Sequence, residues 1–204
     1  MVSSPTTANQ RLKAQSMEAI LDAAGQCYLE TGFSGTTVDD IAARAQVGRA
    51  TVFRNFKTKE AIFTQYVQRE CRQIIARTAT QLKKARSPED YLINLFMLTI
   101  CDGPKEPIHK ITTADYESRA YSFELSFLSS AADQLLEETF PPFYAMAKKN
   151  GQVRRGVSQD EMIQWIKRLN IDFVLNPIEY DDDPRRVRKF LNTFVVPSFF
   201  RDQV

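Results

Sequence analysis

From about Gln10 onward, apolar residues return at the spacing of a helix. Met17, Ile20, Leu21, Ala24 and Tyr28 fall on one face, and Gly32 stands where a left-handed residue stops a helix. Thr37, with Asp40 three residues on, is a capping pair that opens a second helix with Val38, Ile41, Ala42 and Ala45 on its apolar side. A four-residue break, AQVG, leads to a third short helix carrying Val52, Phe53 and Phe56. Thr58 then caps a fourth helix, with Glu60 in the first turn where the helix dipole favours an anion. Ile62, Phe63, Tyr66 and Val67 carry that helix toward Arg86.

The remainder shows no strand-like alternation. Ser87, Pro88, Glu89 and Asp90 combine an N-cap, a first-turn proline and two first-turn acids, and YLINLFMLTI follows them. The segment DGPKEP ends that helix. Helical composition resumes from about Glu117 to Asn150, split by Pro141-Pro142 and stopped at Gly151. Ser158 and Glu161 form another capping box, for a helix ending near Asn176-Pro177. Three aspartates before Pro184 open the last helix, striped by Val187, Phe190, Leu191, Phe194 and Val195. The expected fold is all-α, with about nine helices.

Composition changes this picture mainly by exclusion. The 204 residues are 43% hydrophobic and 25% charged, which is globular, and the net charge of +2 is too small for a general nucleic-acid coat. Any nucleic-acid signal must be local. Cys27, Cys71 and Cys101 have no CxxC spacing and suit reduced thiols, and no window reaches the roughly 18 apolar residues of a membrane span. The expected location is the cytoplasm. Enzyme motifs are missing: no GxSxG, HExxH or phosphate-binding loop occurs, and His109 is the single histidine. The expectation is a non-enzyme without cofactor or metal.

The local signal lies at residues 44–59, where Arg44, Arg49, Arg54, Lys57 and Lys59 occur with no acid among them. Two short helices joined by a tight turn, the second presenting basic and polar side chains, form a helix-turn-helix whose second helix fits the DNA major groove. The ordered elements ILDAA, GF followed by TTVDDIA, TVFRNF and KTKEAIF, across about residues 10–68, resemble the N-terminal domain of the TetR/AcrR family of bacterial transcriptional regulators. The resemblance implies that Thr37 caps the second helix and touches phosphate. It places Arg49, Ala50 and Thr51 at the start of the recognition helix, with Phe53 and Asn55 further along, and the face left over by the apolar positions adds Arg54. Lys59 becomes a second phosphate contact, and Arg44 one to base or phosphate. The family commonly has tyrosine at Phe53, histidine at Asn55 and glycine at Gln46, so the turn at Gln46 is expected to be strained.

The expected organisation is a polar N-terminal arm (1–9), a helix-turn-helix domain (10–57) and a helical ligand-binding and dimerisation domain (58–204). In the last long helices, Met162, Ile166, Leu169 and Phe173 make one stripe, with Ile163, Trp165, Ile171 and Val174 beyond it. Apolar residues all round suit burial against a second subunit, so the first stripe and Val187, Phe190, Leu191, Phe194 and Val195 are the expected homodimer face. Phe96, Thr99, Tyr121, Phe123, Glu124, Phe127, Trp165 and Asn170 are the expected lining of a pocket for a small, largely apolar effector. The leading expectation is a repressor released from a palindromic DNA operator by that effector. Its rival is a helical protein that sequesters a metabolite without binding an operator.

Overall fold

The computed structural model describes residues 5–113 and 130–201. They form two units interleaved along the chain: residues 5–70 with 107–113, and residues 71–106 with 130–201. The described residues are helical or irregular, apart from one isolated antiparallel bridge between Val153 and Phe200. None of their helices is long and apolar enough to cross a membrane.

The first unit holds α1 (Pro5–Gly35), α2 (Val38–Arg44), α3 (Arg49–Asn55), the start of α4 (Lys59–Leu82) and α6 (Pro107–Thr113). Helix α1 begins five residues before the start expected from the apolar pattern, and it breaks at Gly32, where φ is 72° and ψ 173°. That backbone conformation is open essentially to glycine alone. The core of the unit is aromatic. Tyr28, Phe33, Phe63 and Tyr66 are all buried, with ring centroids 4.6 Å apart for Phe33–Phe63 and 5.3 Å for the edge-on pair Tyr28–Phe63. Tyr66 packs so tightly on α1 that a Cβ at Gly25 would lie 2.5 Å from its ring. At the surface, Arg69 of α4 ties itself to Glu18 and Asp22 of α1 and to its neighbour Glu70. Helix α6 packs on α1, burying Ile108 and Ile111.

The second unit holds the rest of α4, α5 (Pro88–Met97), α7 (Ser130–Thr139), α8 (Pro141–Lys149), α9 (Gln159–Leu175), α10 (Pro184–Phe190) and α11 (Val196–Phe199). Its helix starts follow the sequence signals. Ser87 Oγ accepts from the Asp90 N–H, Ser158 and Glu161 close a capping box, and Asp183 accepts from the N–H groups of Arg185 and Arg186. The last helix is less regular than its stripe suggested. A π-helical turn at Leu191–Val195 separates α10 from α11, and another at Leu98–Asp102 follows α5. Each is followed two residues on by a proline, Pro197 or Pro104, which cannot donate to the carbonyl one turn back, so the ladder widens there.

The stripe expected at a dimer face is the core of this unit. Met162, Ile166 and Phe173 of α9 and Val187, Leu191 and Val195 are all buried within the unit, and the partly buried Leu169 and Phe190 pack against them. Phe194, alone of the expected face, is exposed, at 67%, and so are Trp165, Ile171 and Val174, which lie beyond the buried stripe of α9. An apolar pattern on every side of α9 could not say which stripe its own chain would cover.

The expected pocket residues also separate. Phe96 is fully buried edge-on against Phe173, 5.5 Å between centroids, as ordinary core. Thr99 Oγ1 donates to Asn170 Oδ1 at 2.5 Å, so these two polar groups satisfy one another. Trp165 is exposed, its indole N–H donating to Ser198 Oγ at 3.3 Å. Tyr121, Phe123, Glu124 and Phe127 lie outside the described residues.

Two buried tyrosines differ in one respect. Tyr91 shares a 2.7 Å hydrogen bond with Thr139, which also donates to the Leu135 carbonyl. The Tyr28 hydroxyl, in the first unit, is buried without a partner. Burial pushes both phenols up, Tyr91 to about 12. Tyr28→Phe is therefore expected to stabilise by about 1 kcal/mol, while Tyr91→Phe costs about 1 kcal/mol. Thermal unfolding of the two variants beside the parent checks the opposite signs.

Candidate nucleic-acid interface

Helices α2 and α3, seven residues each, are joined by residues 45–48. Ile41 and Ala42 bury one side of α2, Val52 and Phe56 bury one side of α3, and Val47 is half-buried between them. The turn closes through a pair of backbone bonds: Val47 N–H donates to the Ala42 carbonyl at 3.0 Å and Gln46 N–H to the Ala43 carbonyl at 3.2 Å. This is the Schellman arrangement, and it requires a left-handed residue. Gln46 supplies it with φ of 55°, the only positive φ outside glycine among the described residues. The same bonds end α8, where Gln152 and Gly151 donate to Ala147 and Lys148, and there the left-handed residue is a glycine.

With Val52 and Phe56 turned inward, α3 presents Arg49, Ala50, Phe53 and Arg54 to solvent. Arg49 and Phe53 are one turn apart, and the guanidinium lies 5.4 Å from the ring centroid. Thr51 is half-buried at the edge of this face. Asn55 points inward: its Nδ2 donates to the Thr51 carbonyl at 2.9 Å, and its Oδ1 is buried without a partner. Its amide therefore serves the end of its own helix in this conformation.

The other expected contacts are engaged within the protein. Thr37 Oγ1 donates to Asp40 Oδ2 at 2.6 Å and accepts from the Asp40 N–H, while the Thr37 N–H donates to the same carboxylate at 2.9 Å. These bonds hold the Asp40 carboxyl below its ordinary range, the Thr37 hydroxyl contributing most. Arg44 grips Glu30 of α1 through both terminal nitrogens, and that hydrogen bonding pulls the Glu30 carboxyl down. Lys59 Nζ donates to the Phe33 carbonyl at 3.0 Å and sits 4.3 Å from the centroid of the same ring. It fastens the start of α4 to the end of α1.

The basic run is thus less bare than its sequence. Its acids come from outside it: Glu30 meets Arg44, and Asp39 of α2 meets Arg49. Asp39 and Glu30 were not singled out from the sequence, because neither i,i+4 spacing nor the 16-residue window of the run contains them. Thr36 was also missed. It is buried, and its hydroxyl donates to the Gly32 carbonyl at 2.7 Å across the break in α1.

Residues 20–66 fit the sequence family described as "Bacterial regulatory proteins, tetR family". An HTH-type transcriptional regulator of Bacillus subtilis (strain 168), YvkB, is 49% identical over 43 residues, 21% of this chain and 23% of that protein. The HTH-type transcriptional repressor DhaR of Mycobacterium sp. (strain GP1) is 25% identical over 151 residues, 69% of this chain and 71% of the repressor. Among solved structures, the transcriptional regulator FadR from Bacillus subtilis, in complex with stearoyl-CoA, has the same fold. Its TM-score is 0.58 at 19% identity, covering 86% of this chain and 97% of FadR.

The left-handed Gln46 makes the turn itself testable. A non-glycine residue there costs about 1–2 kcal/mol, partly offset by the greater freedom glycine has when unfolded, about 0.4–1 kcal/mol. Gln46→Gly is expected to raise stability by about 0.5–1 kcal/mol. A melting curve of the variant that shifts downward contradicts this account of the turn.

Proposed function

Because the chain belongs to the tetR family of bacterial regulatory proteins through residues 20–66, we propose that it is a sequence-specific DNA-binding transcriptional regulator of the cytoplasm. In the fuller form of this reading it is a repressor, released from a palindromic operator by a small, largely apolar ligand. The observation that carries the reading is the outward face of α3. Arg49, Ala50, Phe53 and Arg54 stand exposed together on a helix whose other side is buried by Val52 and Phe56. Such a face suits base edges in the major groove: Arg49 offers paired donors to guanine, and Phe53 offers apolar contact to a thymine methyl. Thr51, at its edge, adds a hydroxyl. Arg54 and Lys57, which have no ion-pair partner among the described residues, suit phosphate.

Of the remaining expected contacts, Arg44, Lys59, Thr37 and Asn55 act in this reading chiefly by holding the helices in place. The repressor direction draws support from the name of DhaR. The ligand is assigned to the second unit, and α4, which belongs to both units, is the element through which its binding reaches the DNA-facing helices. Two recognition helices must lie about 34–36 Å apart to enter successive major grooves, which calls for a dimer. Exposed Phe194, kept from the expected face, with exposed Ile171 and Val174 is the surface proposed to form it, in place of the buried members of that face.

Selection of fragments from random duplex DNA by the purified protein is expected to enrich a palindrome. Arg49→Ala and Thr51→Ala are each expected to weaken binding to it by at least about tenfold, the scale of a base contact worth 1–3 kcal/mol. A folded protein that binds an apolar metabolite but shows no salt-dependent affinity for any duplex is instead the sequestering protein. For the dimer, Phe194→Asp is expected to yield folded monomers by sedimentation, with a melting temperature that no longer rises with protein concentration. An unchanged dimer places the interface elsewhere.

A further inference from the structure

The interface carries a feature that the regulator reading does not require. The arginine best placed for base recognition is not free: the Arg49 guanidinium is ion-paired to the Asp39 carboxylate, with both side chains about three-fifths exposed, at 60% and 61%. The pair joins the first turn of α2 to the first residue of α3, and no other hydrogen bond among the described contacts holds Asp39. The acid beside it in sequence behaves differently. Asp40 is consumed by the cap, accepting from Thr37 through backbone and hydroxyl, so its charge is spent on holding α2. Asp39 therefore has no structural duty comparable to that of Asp40. Its carboxylate engages the Arg49 guanidinium, the group with which a phosphate would also pair.

We propose that Asp39 is a specificity-determining residue, an internal stand-in for phosphate that keeps Arg49 from contributing to indiscriminate DNA binding. This rests on the regulator reading. A phosphate offers Arg49 the same kind of partner it already has, so exchanging Asp39 for backbone phosphate gains little. A guanine edge offers two aligned acceptors in a site shielded from water, and only there does the exchange become favourable. The neighbouring cations fit the same division. Arg44 is held by Glu30, whereas Arg54 and Lys57 remain unpaired among the described residues and supply the unspecific attraction. The Phe53 ring against the guanidinium keeps the released side chain over α3 instead of letting it sweep the surface.

The test compares the parent, Asp39→Asn, Arg49→Ala and the double variant on a mixed-sequence duplex and on the duplex recovered by selection. Affinities are measured across a sodium chloride series, with thermal midpoints confirming folding. Asp39→Asn is expected to bind the mixed-sequence duplex about two- to fivefold tighter, the worth of an exposed ion pair no longer to be broken. The slope of log affinity against log salt should steepen by about 0.9, one further phosphate neutralised. The ratio of selected to mixed-sequence affinity should fall. In the Arg49→Ala background the same substitution should produce a clearly smaller gain and no change of slope. An equal gain in both backgrounds overturns the proposal, because Asp39 then acts only as a general negative charge. Unchanged mixed-sequence affinity overturns it too, while leaving the regulator reading intact. A parent protein that binds neither duplex even at low salt overturns both.

Discussion

A seven-residue helix does not hold itself together in water, because nucleation costs more than so few hydrogen bonds return. The part of this protein proposed to face DNA contains two such helices, α2 and α3. Everything around them answers that constraint. Ile41, Ala42, Val52 and Phe56 are buried, the Thr37–Asp40 box closes the start of α2, and paired backbone bonds close its end. Glu30 and Phe33 of α1 then hold Arg44 and Lys59. The exposed face of α3 is possible only because its other side is pinned in this way.

That requirement explains why several polar residues expected to touch DNA turn inward or sideways. A short helix needs its capping and bridging groups for itself. Thr37, Asn55 and Lys59 stand at helix ends, where unsatisfied backbone groups are concentrated, and each is bonded to backbone or to a cap partner there. Phe53 and Arg54, on the exposed face of α3, carry no such bond among the described contacts. The face a side chain occupies, more than its residue type, separates the two roles.

Much of this architecture was legible before any coordinates. The caps at Thr37, Ser87, Ser158 and Asp183, the stops at Gly32 and Gly151, and the strain at Gln46 are local chemistry, written within four or five residues of where they act. What could not be read depends on distant partners. The pairing of Arg44 with Glu30 spans 14 positions, and that of Arg69 with Glu18 spans 51. For α9 the difficulty was of another kind. Apolar residues lie on both of its flanks, so the sequence was equally compatible with burying the Met162 stripe or the Val174 flank, and only packing of the whole unit decided between them. The expected lining of the effector pocket met the same limit, since Phe96 as core and Phe96 as pocket wall have one spacing.

The interleaving of the two units bears on how the protein is made. The first unit is closed by α6, whose Ile108 and Ile111 cover α1, yet α6 lies 37 positions beyond Glu70. During synthesis the helices α1 to α4 leave the ribosome with that face of α1 uncovered, and α5 of the other unit emerges before the cover arrives. Neither unit is a contiguous length of chain that a cut at one point would release whole. A nascent chain halted between α4 and α6 exposes apolar surface that the finished protein hides, which makes that interval the one in which a chaperone has something to hold.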